Sequence, residues 1–92
     1  HIHKGTIENA YTISNGEYEV IEAEIIETSE LINKEIKKSN LPDELRIGAV
    51  LRDKKVIIPR SNFVFKKEDR VVFIVKKDSI SFVENIFRLS SV

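Results

Sequence analysis

Apolar and polar residues alternate along residues 17–27, whose sequence is EYEVIEAEIIE. A period of two residues is typical of a β-strand with one buried and one solvated face. The phase of the pattern changes at Val20 and Ile21, two adjacent apolar residues, and a β-bulge would absorb that change. We therefore predict a strand over this segment, with a bulge at Val20–Ile21 and a solvent face made mostly of glutamate.

Three later segments also have the composition of strands, at residues 46–52, 56–60 and 70–77. The first two are separated by residues 53–55, a spacing that suits a tight hairpin although the usual glycine is missing. The third contains five consecutive apolar residues, 71–75, which is typical of a strand buried on both faces. We place this strand at the centre of the sheet.

Two segments have helical patterns. Thr28-Ser29-Glu30 has the form of a helix entry, and apolar residues recur one turn apart after it, which predicts a short helix near residues 31–39. Pro42 prevents that helix from continuing. Ile80, Val83 and Phe87 form an apolar stripe that predicts a second helix, ending near Leu89.

The predicted order of elements is β-α-β-β-β-α. We therefore assign the α+β class, with a small mixed or antiparallel sheet and two helices packed on one face. The 92 residues suffice for one small core. The chain has no cysteine, which excludes disulfides and thiolate metal sites. No apolar run approaches the roughly 20 residues that a membrane-spanning helix needs.

The formal net charge is zero, with 15 basic and 15 acidic residues, but the two signs are separated along the chain. Residues 17–30 contain six glutamates and no base, whereas residues 47–70 contain seven bases and three acids. Either these segments form neighbouring strands of one sheet, or the acidic edge of one copy meets the basic edge of another. Both alternatives remain open, and the overall balance argues against nucleic acid as a partner.

Candidate chemistry is sparse. The three glycines form no phosphate-binding motif, and the only histidines are His1 and His3. Two imidazoles fall short of the three or four ligands of a zinc site, so we predict no metal site. No nucleophile has a recognisable base, and we predict no catalytic residues and no enzymatic activity. Arg46, Arg52 and Arg60 are candidates for binding a small anion through charge-assisted hydrogen bonds.

Several short motifs lie in register along the chain: residues 1–5, Ala23-Glu24, Leu41-Pro42, Ile47-Gly48-Ala49-Val50 with Arg52, Ile57-Ile58-Pro59, Glu68-Asp69-Arg70-Val71-Val72 and Val83-Glu84-Asn85-Ile86-Phe87. Together they resemble the C-terminal subdomain of the RCK (regulator of potassium conductance) family, as found in regulators of Trk-type potassium uptake. Two positions depart from the family pattern, because Asn33 and Lys67-Glu68 stand where glycine is usual.

The resemblance implies a division of the chain and a site. Residues 1–16 would be a lead-in segment from an upstream RCK unit, and residues 17–92 would be the C-terminal RCK domain. By position, a ligand crevice would involve Arg46, Ile47, Pro59 and Arg60. Cyclic di-AMP occupies this subdomain in certain relatives. The chain itself would need no cofactor, because NAD(H) is expected only in a separate N-terminal Rossmann subdomain.

The resemblance also implies partners and a location. The domain would be a non-catalytic regulatory and dimerisation module, acting as a homodimer and as part of a larger ring in the full protein. We expect the dimer contacts to use apolar residues of the hairpin and the adjoining helix. The module would act in the cytoplasm, at the inner face of the membrane, on a potassium transporter subunit. The alternative is a free-standing sensor that binds an anionic metabolite or nucleotide.

Overall fold

A computed structural model of the chain describes residues 7–88, which form a five-stranded sheet and one α-helix. Every pairing between neighbouring strands is antiparallel, and the strand order is β1-β2-β5-β3-β4. The strands are β1 (Ile7–Ile13), β2 (Tyr18–Glu24), β3 (Leu45–Arg52), β4 (Lys55–Ile57) and β5 (Arg70–Lys76), and the helix is α1 (Ile80–Arg88).

The predicted α+β class is confirmed, but only one of the two predicted helices forms. Residues 31–35 are turns and irregular chain, and a single 3₁₀ turn follows at Ile36–Lys38. The local backbone bonds here are those of single turns, such as the N–H of Lys34 donating to the carbonyl of Leu31 at 3.1 Å. Other backbone groups of the segment bond to residues 61–65, as where the N–H of Asn33 donates to the carbonyl of Phe65 at 2.9 Å. Asn33 also has a positive φ of 66°, which interrupts a right-handed helix.

The predicted bulge at Val20–Ile21 is wrong. Strand β2 pairs with β5 in continuous register from Tyr18 to Glu24. Val20 therefore lies on the face opposite the buried Ile21, and the alternation never changes phase. The register shifts occur elsewhere, in β1 between Ile7 and Asn9 and in β3 between Ile47 and Ala49.

One face of the sheet carries the core and the other is partly open. Strand β5 is central, as predicted, and its Val71, Phe73 and Val75 are buried, but Ile74 on the other face is 42% exposed. The expectation of burial on both faces is therefore not met. Helix α1 packs on the core face, where the core comprises Ile21, Ala23, Ile25, Leu31, Leu45, Val50, Phe65, Val71, Phe73, Val75, Val83, Ile86 and Phe87.

Residues 7–13, predicted to belong to a lead-in segment, contribute β1 to this sheet. The chain turns into β2 through Asn15 and Gly16, which have positive φ angles of 58° and 89°. Such angles favour asparagine and glycine in the turn of a hairpin. No helix within residues 7–88 is long and apolar enough to cross a membrane.

The acidic and basic segments meet within one copy of the chain. Arg70 on β5 donates to Glu22 on β2 at 3.3 Å, and Lys67 lies 4.0 Å from Glu27. Exposed pairs of this kind contribute little to stability. They show that neighbouring segments of one copy pair their charges, and contacts between copies remain a separate question.

Substituting Glu68 by glycine should stabilise the fold. Glu68 has a φ of 75°, a left-handed conformation that costs a residue with a Cβ about 1 kcal/mol. Glycine removes this strain, but it also increases the conformational entropy of the unfolded chain, which offsets part of the gain. We therefore expect the free energy of unfolding, measured by chemical denaturation, to rise by about 0.5 kcal/mol. Lys67→Gly is the matched control in the same turn. A stability gain at Lys67 as large as at Glu68 would refute this explanation.

Candidate functional site

A pocket of about 330 Å³ opens between the start of β3 and the chain that leaves β4. All four residues predicted to form a ligand crevice, Arg46, Ile47, Pro59 and Arg60, line it. The other lining residues come from the segment before β3 and from the residue after Arg60: they are Ile36, Ser39, Leu41, Pro42, Asp43, Leu45 and Ser61.

Backbone hydrogen bonds join the two walls of the pocket. The N–H of Lys37 donates to the carbonyl of Ser61 at 2.9 Å, and the N–H of Ile36 donates to that of Phe63 at the same distance. On one wall, the Ser39 hydroxyl donates to the carbonyl of Glu35 at 2.8 Å. These contacts fix the 3₁₀ turn against the segment after β4, so the pocket is part of the folded structure.

Two exposed arginines give the pocket a positive rim. Arg46 Nη1 donates to the carbonyl oxygens of Asp43 and Leu45, at 3.0 and 3.1 Å, which orients its guanidinium beside the opening. Arg60 contributes the second guanidinium, and Asp43 is the one acidic residue among the described residues that line the pocket. A guanidinium binds carboxylate or phosphate oxygens through charge-assisted, often bidentate, hydrogen bonds.

The inner part of the pocket is apolar. Leu45 is buried, and Ile36, Leu41 and Ile47 pack against the core. A pocket with apolar walls and a few charged groups is the usual form of a small-molecule site. The arrangement therefore suits a ligand that combines an anionic group with an apolar or aromatic part. Among the described residues that line the pocket, no histidine or lysine lies beside Ser39 or Ser61 to activate a nucleophile.

Arg52, the third candidate arginine, forms an ion pair with Asp69. Its Nε and Nη2 donate to the two carboxylate oxygens of Asp69 at 2.8 and 2.7 Å, and Nη2 also donates to the carbonyl of Val64 at 3.0 Å. The guanidinium carbon lies 4.7 Å from the centre of the Phe63 ring. The hydrogen bond to Asp69 raises the pKa of Arg52 above its usual value, although burial opposes the rise. Arg52 thus holds the fold together and does not line the pocket.

Sequence reasoning missed the wall of the pocket that precedes β3. The sequence placed Ser39 at the end of a predicted helix and Leu41 and Asp43 in the connection after it. In such segments no periodicity of the sequence indicates which side chains face a pocket. Pro42 was the available signal, because it marks an obligatory break in the chain. No cluster of potential metal ligands occurs in the described part of the chain, and His1 and His3 lie outside it.

Comparison with known proteins identifies the domain. The family model for the TrkA-C domain matches residues 20–88. The Trk system potassium uptake protein TrkA of Azorhizobium caulinodans is 38% identical over 90 residues, and that of Haemophilus influenzae is 30% identical over 95 residues. These alignments cover 98% and 99% of this chain but 20% and 21% of the relatives, so the chain spans about a fifth of their length.

Two solved structures share the fold. One, described as the GsuK RCK domain, has a TM-score of 0.75 and 18% identity, and the alignment covers 97% of this chain and 20% of that one. The other, described as an RCK domain with cda, has a TM-score of 0.64 and 13% identity, covering 75% of this chain and 97% of that one. Because the family model matches most of β2, the strands β3, β4 and β5, and α1, the chain belongs to the TrkA-C domain family.

Proposed function

We propose that this chain is the regulatory C-terminal RCK domain of a Trk-type potassium uptake regulator, and that it senses a small anionic ligand. The observation that carries the proposal is the pocket rimmed by Arg46 and Arg60 in a domain of the TrkA-C family. The relatives compared above are Trk system potassium uptake proteins, and one structural neighbour is described as an RCK domain with cda. The proposed ligand is a nucleotide or another phosphate-bearing molecule.

Regulation would work through a shift in populations. The pocket is lined by two segments distant in sequence, residues 36–47 and 59–61, so a ligand that contacts both stabilises the arrangement in which they lie together. A ligand changes a conformational equilibrium only by its difference in affinity for the two states. Coupling of that shift to a transporter then gives reciprocal linkage between ligand binding and transport.

The proposal includes partners that act outside this chain. The domain would self-associate, first as a homodimer and then in a larger ring, and would act in the cytoplasm on a membrane potassium transporter subunit. Val56 and Ile58 of the hairpin are 67% and 73% exposed, which makes them candidates for contacts between copies. NAD(H) would bind a separate Rossmann subdomain, and this domain would be non-catalytic and need no cofactor.

Arg60→Ala should weaken ligand binding about tenfold, because it removes a charge-assisted hydrogen bond worth roughly 1.5 kcal/mol. Isothermal titration calorimetry with cyclic di-AMP, ATP and inorganic phosphate measures the effect and ranks the three ligands. Lys76→Ala is the matched control, because Lys76 is an exposed base on β5 outside the pocket lining. Equal binding by the wild type and Arg60→Ala would refute the pocket assignment.

A second experiment separates the regulatory domain from a free-standing sensor. The gene upstream of His1 should encode a Rossmann unit with a glycine-rich dinucleotide motif. In the full-length protein, the Arg60 substitution should alter potassium uptake in cells and leave uptake insensitive to the ligand. Ligand binding by the wild type together with unchanged uptake would support the free-standing sensor instead.

A further inference from the structure

The two edges of the sheet differ in how they are protected. Strand β4 forms one edge and has three residues, flanked by Lys54 and Pro59. A short edge strand with lysine and proline nearby resists pairing with another strand. Strand β1 forms the other edge and has seven residues, with no lysine or proline among them.

Strand β1 therefore presents a long row of backbone groups on its outer side. A β-strand is the structure that satisfies such a row, through a ladder of main-chain hydrogen bonds. The sequence of β1 is IENAYTI, in which Glu8 is the single charged residue.

The side chains at the exposed end of β1 are apolar. Tyr11 is 65% exposed and Ile13 is 42% exposed, and they lie on the open face of the sheet, paired in register with Val20 and Tyr18. Exposed aromatic and aliphatic side chains at a free edge are costly in water and gain from cross-strand contact. Within residues 7–88 no strand pairs with the outer side of β1, and Tyr11 and Ile13 give this edge an apolar flank.

From these observations we infer that β1 pairs antiparallel with β1 of a second copy, joining two five-stranded sheets into one continuous sheet. Antiparallel pairing of identical strands is two-fold symmetric, so it needs no other partner and closes as a dimer. With full overlap the symmetry axis passes near Ala10, the middle residue of β1. The two Tyr11 side chains then lie diagonally across the new pair, about 7–8 Å apart, within reach of aromatic contact.

This pairing surface is separate from the exposed apolar residues of the hairpin and from the ligand pocket. Strands β1 and β4 lie at opposite edges of the sheet, and neither Tyr11 nor Ile13 is among the described residues that line the pocket. A domain with two self-association surfaces forms assemblies larger than a dimer. The inference about β1 therefore stands or fails independently of ligand binding.

Analytical ultracentrifugation of the full chain over a wide concentration range tests the pairing. Tyr11→Lys should weaken the β1-dependent step of association about tenfold, because it removes apolar contact and places like charges near each other. Tyr11→Glu should do the same, and an equimolar mixture of the two variants should recover association. Only a direct contact between the two Tyr11 positions predicts recovery by opposite charges.

Two further variants serve as controls. Phe82→Lys, at a position on α1 that is 45% exposed, should leave association unchanged. Ile58→Lys should also leave the β1-dependent step intact, whether or not the hairpin makes its own contact. Circular dichroism and thermal unfolding confirm that each variant is folded.

Three results would overturn the inference. These are a wild-type chain that stays monomeric at every concentration, a Tyr11→Lys chain that associates as strongly as Phe82→Lys, and a charge mixture that shows no recovery. Hydrogen–deuterium exchange is an independent test. The backbone N–H groups of β1 that point away from β2 should exchange more slowly as the protein concentration rises. Calorimetry on Tyr11→Lys should show unchanged ligand binding, which distinguishes failure of the edge from failure of the pocket.

Discussion

Replacing Asp69 by alanine is expected to lower the free energy of unfolding by about 3 kcal/mol. Asp69 is 1% exposed, and its carboxylate accepts two hydrogen bonds from Arg52 and one from the backbone N–H of Lys66, at 2.8 Å. Removing the carboxylate leaves the half-buried guanidinium without its counter-ion. Urea denaturation followed by circular dichroism measures the loss.

A double-mutant cycle isolates the ion pair from the other consequences of the substitution. Arg52→Met keeps an apolar stem beside Phe63 but removes the charge, and combining it with Asp69→Ala should cost clearly less than the sum of the two single losses. Glu30→Ala is a control at an exposed carboxylate and should change stability by less than about 0.5 kcal/mol. Strict additivity in the cycle would show that Asp69 acts through the Lys66 turn alone.

The ion pair also explains a limit of sequence reasoning. Nothing local in the sequence distinguishes one arginine of the basic middle segment from another. The sequence therefore indicated Arg46, Arg52 and Arg60 together as candidate anion binders. Asp69 lies 17 residues from Arg52, and only the pairing of β3 with β5 brings their side chains together. The difference between an arginine on a pocket rim and one in a buried ion pair is a long-range property.

Local patterns predicted what depends on local chemistry. Alternation located β2, the composition of residues 46–52 located β3, the run of residues 71–75 located the central strand, and the apolar stripe located α1. The helix over residues 31–39 was wrong because backbone groups of residues 33–37 bond to residues 61–65, which are distant in sequence. Long-range hydrogen bonds of this kind override helical periodicity.

Strand β1 had a local signal that the pattern of apolar residues did not reveal. Asn15-Gly16 is the dipeptide most typical of a hairpin turn, and both residues have positive φ angles. That dipeptide could have placed a strand before β2 as well as after it. The two walls of the pocket come from segments distant in sequence. Charge alone indicated Arg46 and Arg60, together with Arg52, and the family resemblance added Ile47 and Pro59 and left Arg52 out.

Substituting Phe87 by alanine should produce a loss as large as that at Asp69, or larger, of about 4 kcal/mol. Phe87 is 1% exposed, and its ring stacks on Phe73 of the central strand with centroids 5.2 Å apart and planes 8° apart. The deletion removes buried apolar area and leaves a cavity between α1 and the sheet, because the surrounding core relaxes only in part.

Phe82 provides a matched control for Phe87, because both phenylalanines lie on α1 and differ mainly in burial. Phe82 is 45% exposed, so Phe82→Ala should cost less than about 1 kcal/mol. A domain of this size has a total stability of about 5–15 kcal/mol, and Phe87→Ala should therefore remain folded but much closer to its unfolding midpoint. Chemical denaturation of both variants measures the contrast. Equal losses at the two positions would mean that the helix as a whole, and not the contact between Phe87 and Phe73, determines how α1 stabilises the sheet.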